Sequence, residues 1–209
     1  MQKAIVSMIE AFQRYRDQWH DEAGLIEQFE AFLNTSADAF ERSHLAGHFT
    51  GSAWLVSADG KRVLLMHHRK LDRWLQPGGH ADGDVDLARV ALREAQEETG
   101  VPGLRVEDAI FDIDRHRIAG RIPAACADGP ASPSAFVPGE RGHAPAPARE
   151  PEHWHYDVRY VVRAGADESF VANPESRGLA WRPIAEVSND ESLDLSLRRM
   201  ARKWLAQTL

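Results

Sequence analysis

The chain contains one cysteine, Cys126, in 209 residues, which excludes an intramolecular disulfide framework. Long hydrophobic runs are also missing. No uninterrupted apolar stretch approaches the roughly 18 residues that span a bilayer, so no membrane insertion is expected. Positive charge is in short supply as well. With 25 Lys and Arg against 32 Asp and Glu the net charge is −7, and a protein that wraps duplex nucleic acid needs a basic stripe instead. A small polyanion held through a metal remains compatible with that balance. No charged-then-apolar leader opens the chain, so cytoplasmic residence is the expectation. No internal repeat is found. What is present is a hydrophobic fraction of 43%, with six Trp and eight Phe, the composition of a folded globular chain. Its length fits one catalytic unit carrying an appended helical segment.

Apolar residues recur at helical spacing through Ile5, Met8, Ile9, Phe12 and Tyr15, and again through Leu25, Ile26, Phe29, Phe32 and Leu33. Two helices forming a hairpin are therefore expected over about residues 1–45, with a further short helix from Asp38 to Arg42. The remainder, 46–209, reads as the catalytic domain. Phe49 to Ser57 and Arg62 to His68 are expected strands around an Ala58-Asp59-Gly60-Lys61 turn. Pro77-Gly78-Gly79 signals a loop. Asp86 to Thr99 then carries Leu87, Val90, Ala91 and Ala95 on one stripe and is stopped by Gly100 and Pro102, which predicts a helix. Leu104 to His116 returns to strand, and about 117–151 is an Ala/Pro/Gly-rich insertion. Trp154 to Arg163 and Leu179 to Trp181 are further strands, and Ser192 to Gln207 is a closing amphipathic helix. Helices and strands in this order imply a mixed sheet between helices.

The stretch that carries chemistry runs from Gly78-Gly79-His80 to Arg93-Glu94-Ala95-Gln96-Glu97-Glu98-Thr99-Gly100-Val101. On a helix Glu94, Glu97 and Glu98 stand at i, i+3 and i+4, so three carboxylates crowd one face. Such like charges repel by a few tenths of a kcal/mol per pair, and Arg89 and Arg93 offset this only in part. A hard divalent cation takes oxygen ligands and leaves positions for substrate phosphates, which gives the crowding a purpose that a solvated charged surface lacks. The preceding glycines let the backbone turn sharply and approach a metal.

These residues resemble the Nudix box, G-x5-E-x7-R-E-U-x-E-E-x-G-U with U aliphatic. The register sets Gly79, Arg93, Glu94, Ala95, Glu97, Glu98, Gly100 and Val101 on its positions, and Val85 stands where the box has its first Glu. Resemblance to the wider domain extends from about Phe49 to Val187 without the insertion. It implies an α/β/α sandwich with a mixed sheet, here preceded by the helical hairpin. It also implies that Glu94, Glu97 and Glu98 coordinate Mg²⁺ or Mn²⁺ with the Gly79 carbonyl nearby, and that Arg93 orients the glutamates. Glu175, before Leu179-Ala180-Trp181, is the best-placed further carboxylate. The implied reaction is water attack on phosphorus in a small phosphorylated substrate, with Glu94, Glu175 or a histidine as base.

Outside the box, His153, His155 and Asp157 share one face of a strand by period-2 alternation. With His80 they offer a second metal site or a histidine base, set against structural histidines. His68 and Arg69 can hold phosphate or form a solvated basic turn. Trp74 can stack a base or pack the loop. Trp181 reads as core and Cys126 as a bystander. Two other functions compete with hydrolysis of a nucleotide or nucleoside-diphosphate derivative. One is a nucleotide- or protein-binding module without catalysis, motivated by Val85. The other is an isopentenyl-diphosphate isomerase, which needs a positioned cysteine that Cys126 does not supply. The sequence leaves substrate identity open, since specificity in such folds comes from loops and appended segments. A homodimer is expected.

Overall fold

The structure is a computed structural model that describes residues 2–36, 38–120, 151–171 and 176–207. Helix α1 spans Gln2–Gln18 and α2 spans Ala23–Thr35, joined through a 3₁₀ turn at His20–Glu22. Residues 38–45 make successive turns rather than the expected short helix. The amide of Phe49 donates to the Ala39 carbonyl and that of Gly83 to the Phe40 carbonyl. Those two bonds tie the segment to its neighbours and leave no room for helical pairing.

The strands are β1 (Gly47–Val56), β2 (Arg62–His68), β3 (Arg73–Leu75), β4 (Gly78–His80), β5 (Arg105–Ile118), β6 (His153–Arg163) and β7 (Ser176–Pro183). Helix α3 (Leu87–Thr99) follows β4, and α4 (Ile184–Val187) and α5 (Leu195–Gln207) close the chain. The main path of the sheet is β3-β2-β1-β6-β5, with β4 pairing β1 and β7 pairing β2. β1 and β6 run parallel while every other pair is antiparallel, the mixed sheet expected. Gly78-Gly79-His80 is thus a short strand laid on Thr50, Gly51 and Ser52, not the loop that Pro77 and the glycines signalled. β5 also extends past His116, which shortens the insertion at its start; residues 121–150, Cys126 among them, lie outside the described residues.

Alternation along β1 sends Phe49, Ala53 and Leu55 to one face and Trp54 and Val56 to the other. The first face packs α1, α2 and α3 into one cluster that includes Phe12, Phe29, Phe32, Val90 and Tyr156. Phe32 stacks on Tyr156 with ring centroids 4.1 Å apart, and Phe29 meets the same ring edge-on at 5.2 Å. Full burial of such a ring contributes about 1.5–3 kcal/mol. The N-terminal helices are therefore held by the same core as α3. The second face packs α4 and α5 through Ile184, Leu197, Met200 and Trp204. Trp181 is half-buried and packs against the first cluster. No helix among the described residues is long and apolar enough to cross a membrane.

Candidate active site

Helix α3 begins where the Asp86 carboxylate accepts a hydrogen bond from the Arg89 amide at 3.1 Å, a side-chain cap on the orphan donors of the first turn. Asp84 holds the Arg89 guanidinium through both oxygens, at 2.9 and 2.6 Å. Arg89 is thereby committed to Asp84, and Arg93 remains as the cation beside the glutamates. It donates to Glu94 Oε1 at 2.9 Å and to the His80 carbonyl at 3.1 Å. At the far end Gly100 adopts a left-handed φ of 65°, and its amide bonds the Gln96 carbonyl.

The three carboxylates differ in exposure. Glu98 is buried, and its Oε2 accepts from the Gly78 amide at 3.0 Å. Glu94 is half-buried and Glu97 exposed. The two glycines of β4 are required for different reasons. A Cβ on Gly79 would stand 2.5 Å from the Glu94 carboxyl carbon, whereas one on Gly78 would meet Ser52. Gly79 therefore faces α3 and leaves the Glu94 carboxylate lying directly on the strand. Val85, in the position of the absent first Glu of the box, packs against the cluster of the N-terminal helices. It lines a small void of about 50 Å³ with Ile5, Leu33 and Phe40.

On the opposite sheet face the register stacks polar side chains in rows across β1, β6 and β5: His48, His155 and His116; then Thr50, Asp157 and Asp114; then Ser52, Arg159 and Asp112. His80 lies beside Thr50. Its ring centroid is 4.9 Å from that of His48 and 5.0 Å from that of His155. Burial, with repulsion from His80 and His153, pushes the His48 imidazole down to about 4. Burial and the other histidines push His155 down to about 2. Both rings are neutral at neutral pH. Asp157 accepts from Thr50 at 2.9 Å, Ser52 at 2.8 Å and Arg159 at 2.7 Å. The fully buried Asp112 gathers Arg159, Arg199 and Lys203 at 3.0, 2.8 and 2.9 Å, and Lys203 continues to Tyr15 and Glu22 of the N-terminal segment.

The structure brings together Gly79, Arg93, Glu94 and Glu98, and separately His80, His153 and His155. His68 ends β2 and Arg69 opens the turn after it: the His68 ring accepts from the amides of Lys70 and Leu71, and Arg69 donates to the Ser176 carbonyl. Trp74 packs against His67 and the α4/α5 core. Glu175 is outside the described residues. Sequence reasoning missed His48, which only the parallel pairing of β1 with β6 brings to the cluster. It also missed Asp112, Asp114 and His116, whose period-2 spacing was a usable signal.

Residues 48–126 match the family model of the NUDIX domain. No curated protein matches the chain in sequence. Among solved structures it is similar to the MutT protein of Methanosarcina mazei Go1 (TM-score 0.51, 15% identity, covering 79% of this chain and 97% of that one). It is also similar to the C. elegans Ap4A hydrolase in a binary complex (0.50, 13%, 77% and 96%). A third is the E. coli dihydroneopterin triphosphate pyrophosphohydrolase (0.50, 14%, 76% and 95%). At these identities the likeness is one of fold.

Proposed function

We propose that this chain, whose residues 48–126 match the NUDIX domain, is a metal-dependent hydrolase of a diphosphate linkage in a nucleotide or nucleoside-diphosphate derivative. The observation that carries this reading is the convergence of Glu94 and Glu98 on the backbone of Gly78 and Gly79. Three carboxylates on one helical face, with Arg93 as their neighbouring cation, form an oxygen donor set suited to Mg²⁺ or Mn²⁺. The cradle at Gly79, which a Cβ would fill, keeps backbone and carboxylate oxygens adjacent. A bound divalent ion supplies Lewis-acid polarisation of phosphoryl oxygens and neutralises charge on the leaving phosphate.

Glu94, Glu97 and Glu98 would hold the ion, and Arg93 fixes Glu94 against the His80 carbonyl. Glu97 is the exposed member of the three and would present its carboxylate on the solvent side. The acidic surroundings repel a free polyphosphate, which makes the metal a condition of binding as well as of chemistry. The relatives named above act on Ap4A and on dihydroneopterin triphosphate, both nucleotide-like polyphosphates, and the proposed substrate is of that class. Phosphate release from a panel of nucleoside triphosphates, dinucleotides and nucleotide sugars, with and without Mg²⁺ or Mn²⁺, tests the reading. Glu97→Gln should lower turnover by at least about 10²-fold, the scale of removing one element that stabilises developing charge. Metal-independent turnover, or an unaffected variant, would refute it. Ligand binding without turnover of any compound would favour a binding module.

A further inference from the structure

His48, His153 and His155 each present a ring nitrogen within 4.8 Å of the other two. They lie on the sheet face turned away from α3, at the start of the parallel β1/β6 pair. His48 is 2% exposed, and neither of its ring nitrogens makes a well-formed hydrogen bond. A buried ring left without a partner is unfavourable, and a bound ion would relieve it. Next to it, His153 Nδ1 stands 2.9 Å from the Pro151 carbonyl oxygen. A carbonyl only accepts, so Nδ1 carries a proton and Nε2 is the atom turned to the cluster. The Nε2 atoms of His153 and His155 are 3.2 Å apart. Two imidazole nitrogens bound to one tetrahedral zinc at 2.0–2.1 Å stand about 3.3 Å apart.

We propose that His48, His153 and His155 bind a divalent transition metal of the zinc class, at a site distinct from the α3 carboxylates. Three imidazole nitrogens select such an ion over Mg²⁺, which takes oxygen ligands. The bond from His153 to Pro151 fixes ring and tautomer as a metal ligand's outer hydrogen bond does. His48 gains a partner for a ring nitrogen. His80 is not a fourth ligand through Nδ1, because that atom lies 3.0 Å from the Arg42 guanidinium, which only donates. Three protein ligands leave one position of a tetrahedral ion open to water or to a substrate oxygen. The site stands independently of the hydrolase reading.

The test uses the full chain, stripped with a chelator and reloaded with Zn²⁺ or Co²⁺. After exhaustive dialysis the wild type and Glu97→Gln should retain about one ion per chain, as a closed structural or open catalytic zinc site does. Folded His48→Asn and His155→Asn should retain almost none. Co²⁺ should give the visible absorption of a four-coordinate ion, displaced by Zn²⁺ and not by excess Mg²⁺. This spectrum needs only wild-type protein and so decides the matter even if the variants fail to fold. Absence of the band, or wild-type stoichiometry in the folded histidine variants, would overturn the proposal. Unaltered turnover in a Glu97→Gln enzyme that keeps this ion would count against the carboxylate reading alone.

Discussion

Replacing Gly79 by alanine should abolish most activity while leaving stability almost untouched, whereas the same change one residue earlier should cost stability first. The added Cβ at Gly79 would lie 2.5 Å from the Glu94 carboxyl carbon. Ordinary contact begins near 3.4 Å, so the carboxylate must retreat by about 0.9 Å. A glutamate terminus can swing aside cheaply, and a Gly→Ala change on permitted backbone adds about 0.4–1 kcal/mol through the unfolded chain. Turnover should nonetheless fall by about 10²-fold, the usual consequence of a 1 Å misplacement at a reacting centre. At Gly78 the Cβ would stand 2.9 Å from Ser52 Cα, and backbone in a sheet cannot move aside. Overpacking of this kind costs about 1–3 kcal/mol, or a melting temperature lower by some 2–10 °C in a chain of this size. Urea unfolding and steady-state turnover, measured on both variants, separate the two effects. If the loss at Gly79 runs through Glu94, adding Gly79→Ala to a Glu94→Ala background should have little further effect. A Gly79→Ala enzyme with turnover within threefold of wild type would refute the reasoning.

The buried charges predict a steep contrast in stability. Asp112→Asn should cost about 3–5 kcal/mol in urea unfolding, because Arg159 and its neighbours lose a buried partner; Glu107→Gln, breaking the exposed pair with Arg163, should cost under about 1 kcal/mol. Acid sensitivity follows from the same network. Burial pushes the Asp114 carboxyl up, but its bond to His116 and the Arg159 and Arg199 charges outweigh that and hold it below the usual carboxylate range; Asp112 is likewise lowered. Below about pH 4 the unfolded chain therefore takes up protons that the native state refuses, and stability falls with falling pH. A urea midpoint that stays flat from pH 6 to 3 would contradict this. Val85→Glu, which restores the first glutamate of the box, should destabilise the fold by about 1–3 kcal/mol without raising turnover, since it sets a carboxylate against an apolar cluster. Equal or higher turnover at unchanged stability would reverse the inference.

Local signals were legible in the sequence because local physics determines them. The α3 boundaries follow from Asp86 as cap and Gly100 as left-handed stop, and the stripe of Leu87, Val90, Ala91 and Ala95 does face the core. The mixed sheet between helices followed from element order. What stayed hidden depends on pairing between distant segments. β4 is a strand only because Thr50 to Ser52 offer it an edge. Read alone, Pro77-Gly78-Gly79 carries loop chemistry. His48 joins His153 and His155 across about a hundred residues through the parallel β1/β6 register, which periodicity within either segment cannot supply.

Val85 shows how two features that were separately opaque explain each other. Judged against the box it is a defect, and judged against the family pattern α1 and α2 are an unaccounted addition. In the folded chain Val85 sits at the start of α3 against the hydrophobic cluster that those helices build, with Ile5 and Leu33 lining the same small void. A glutamate there would have to be desolvated against apolar side chains. The junction between β4 and α3 is held by Asp86 as the cap and by the Asp84–Arg89 pair. Arg42, just beyond the helices, adds an ion pair to Asp82, and the Gly83 amide bonds the Phe40 carbonyl. The N-terminal segment thus fastens the loop between β4 and α3, and Val85 is the apolar side chain through which that junction joins the core of the N-terminal helices.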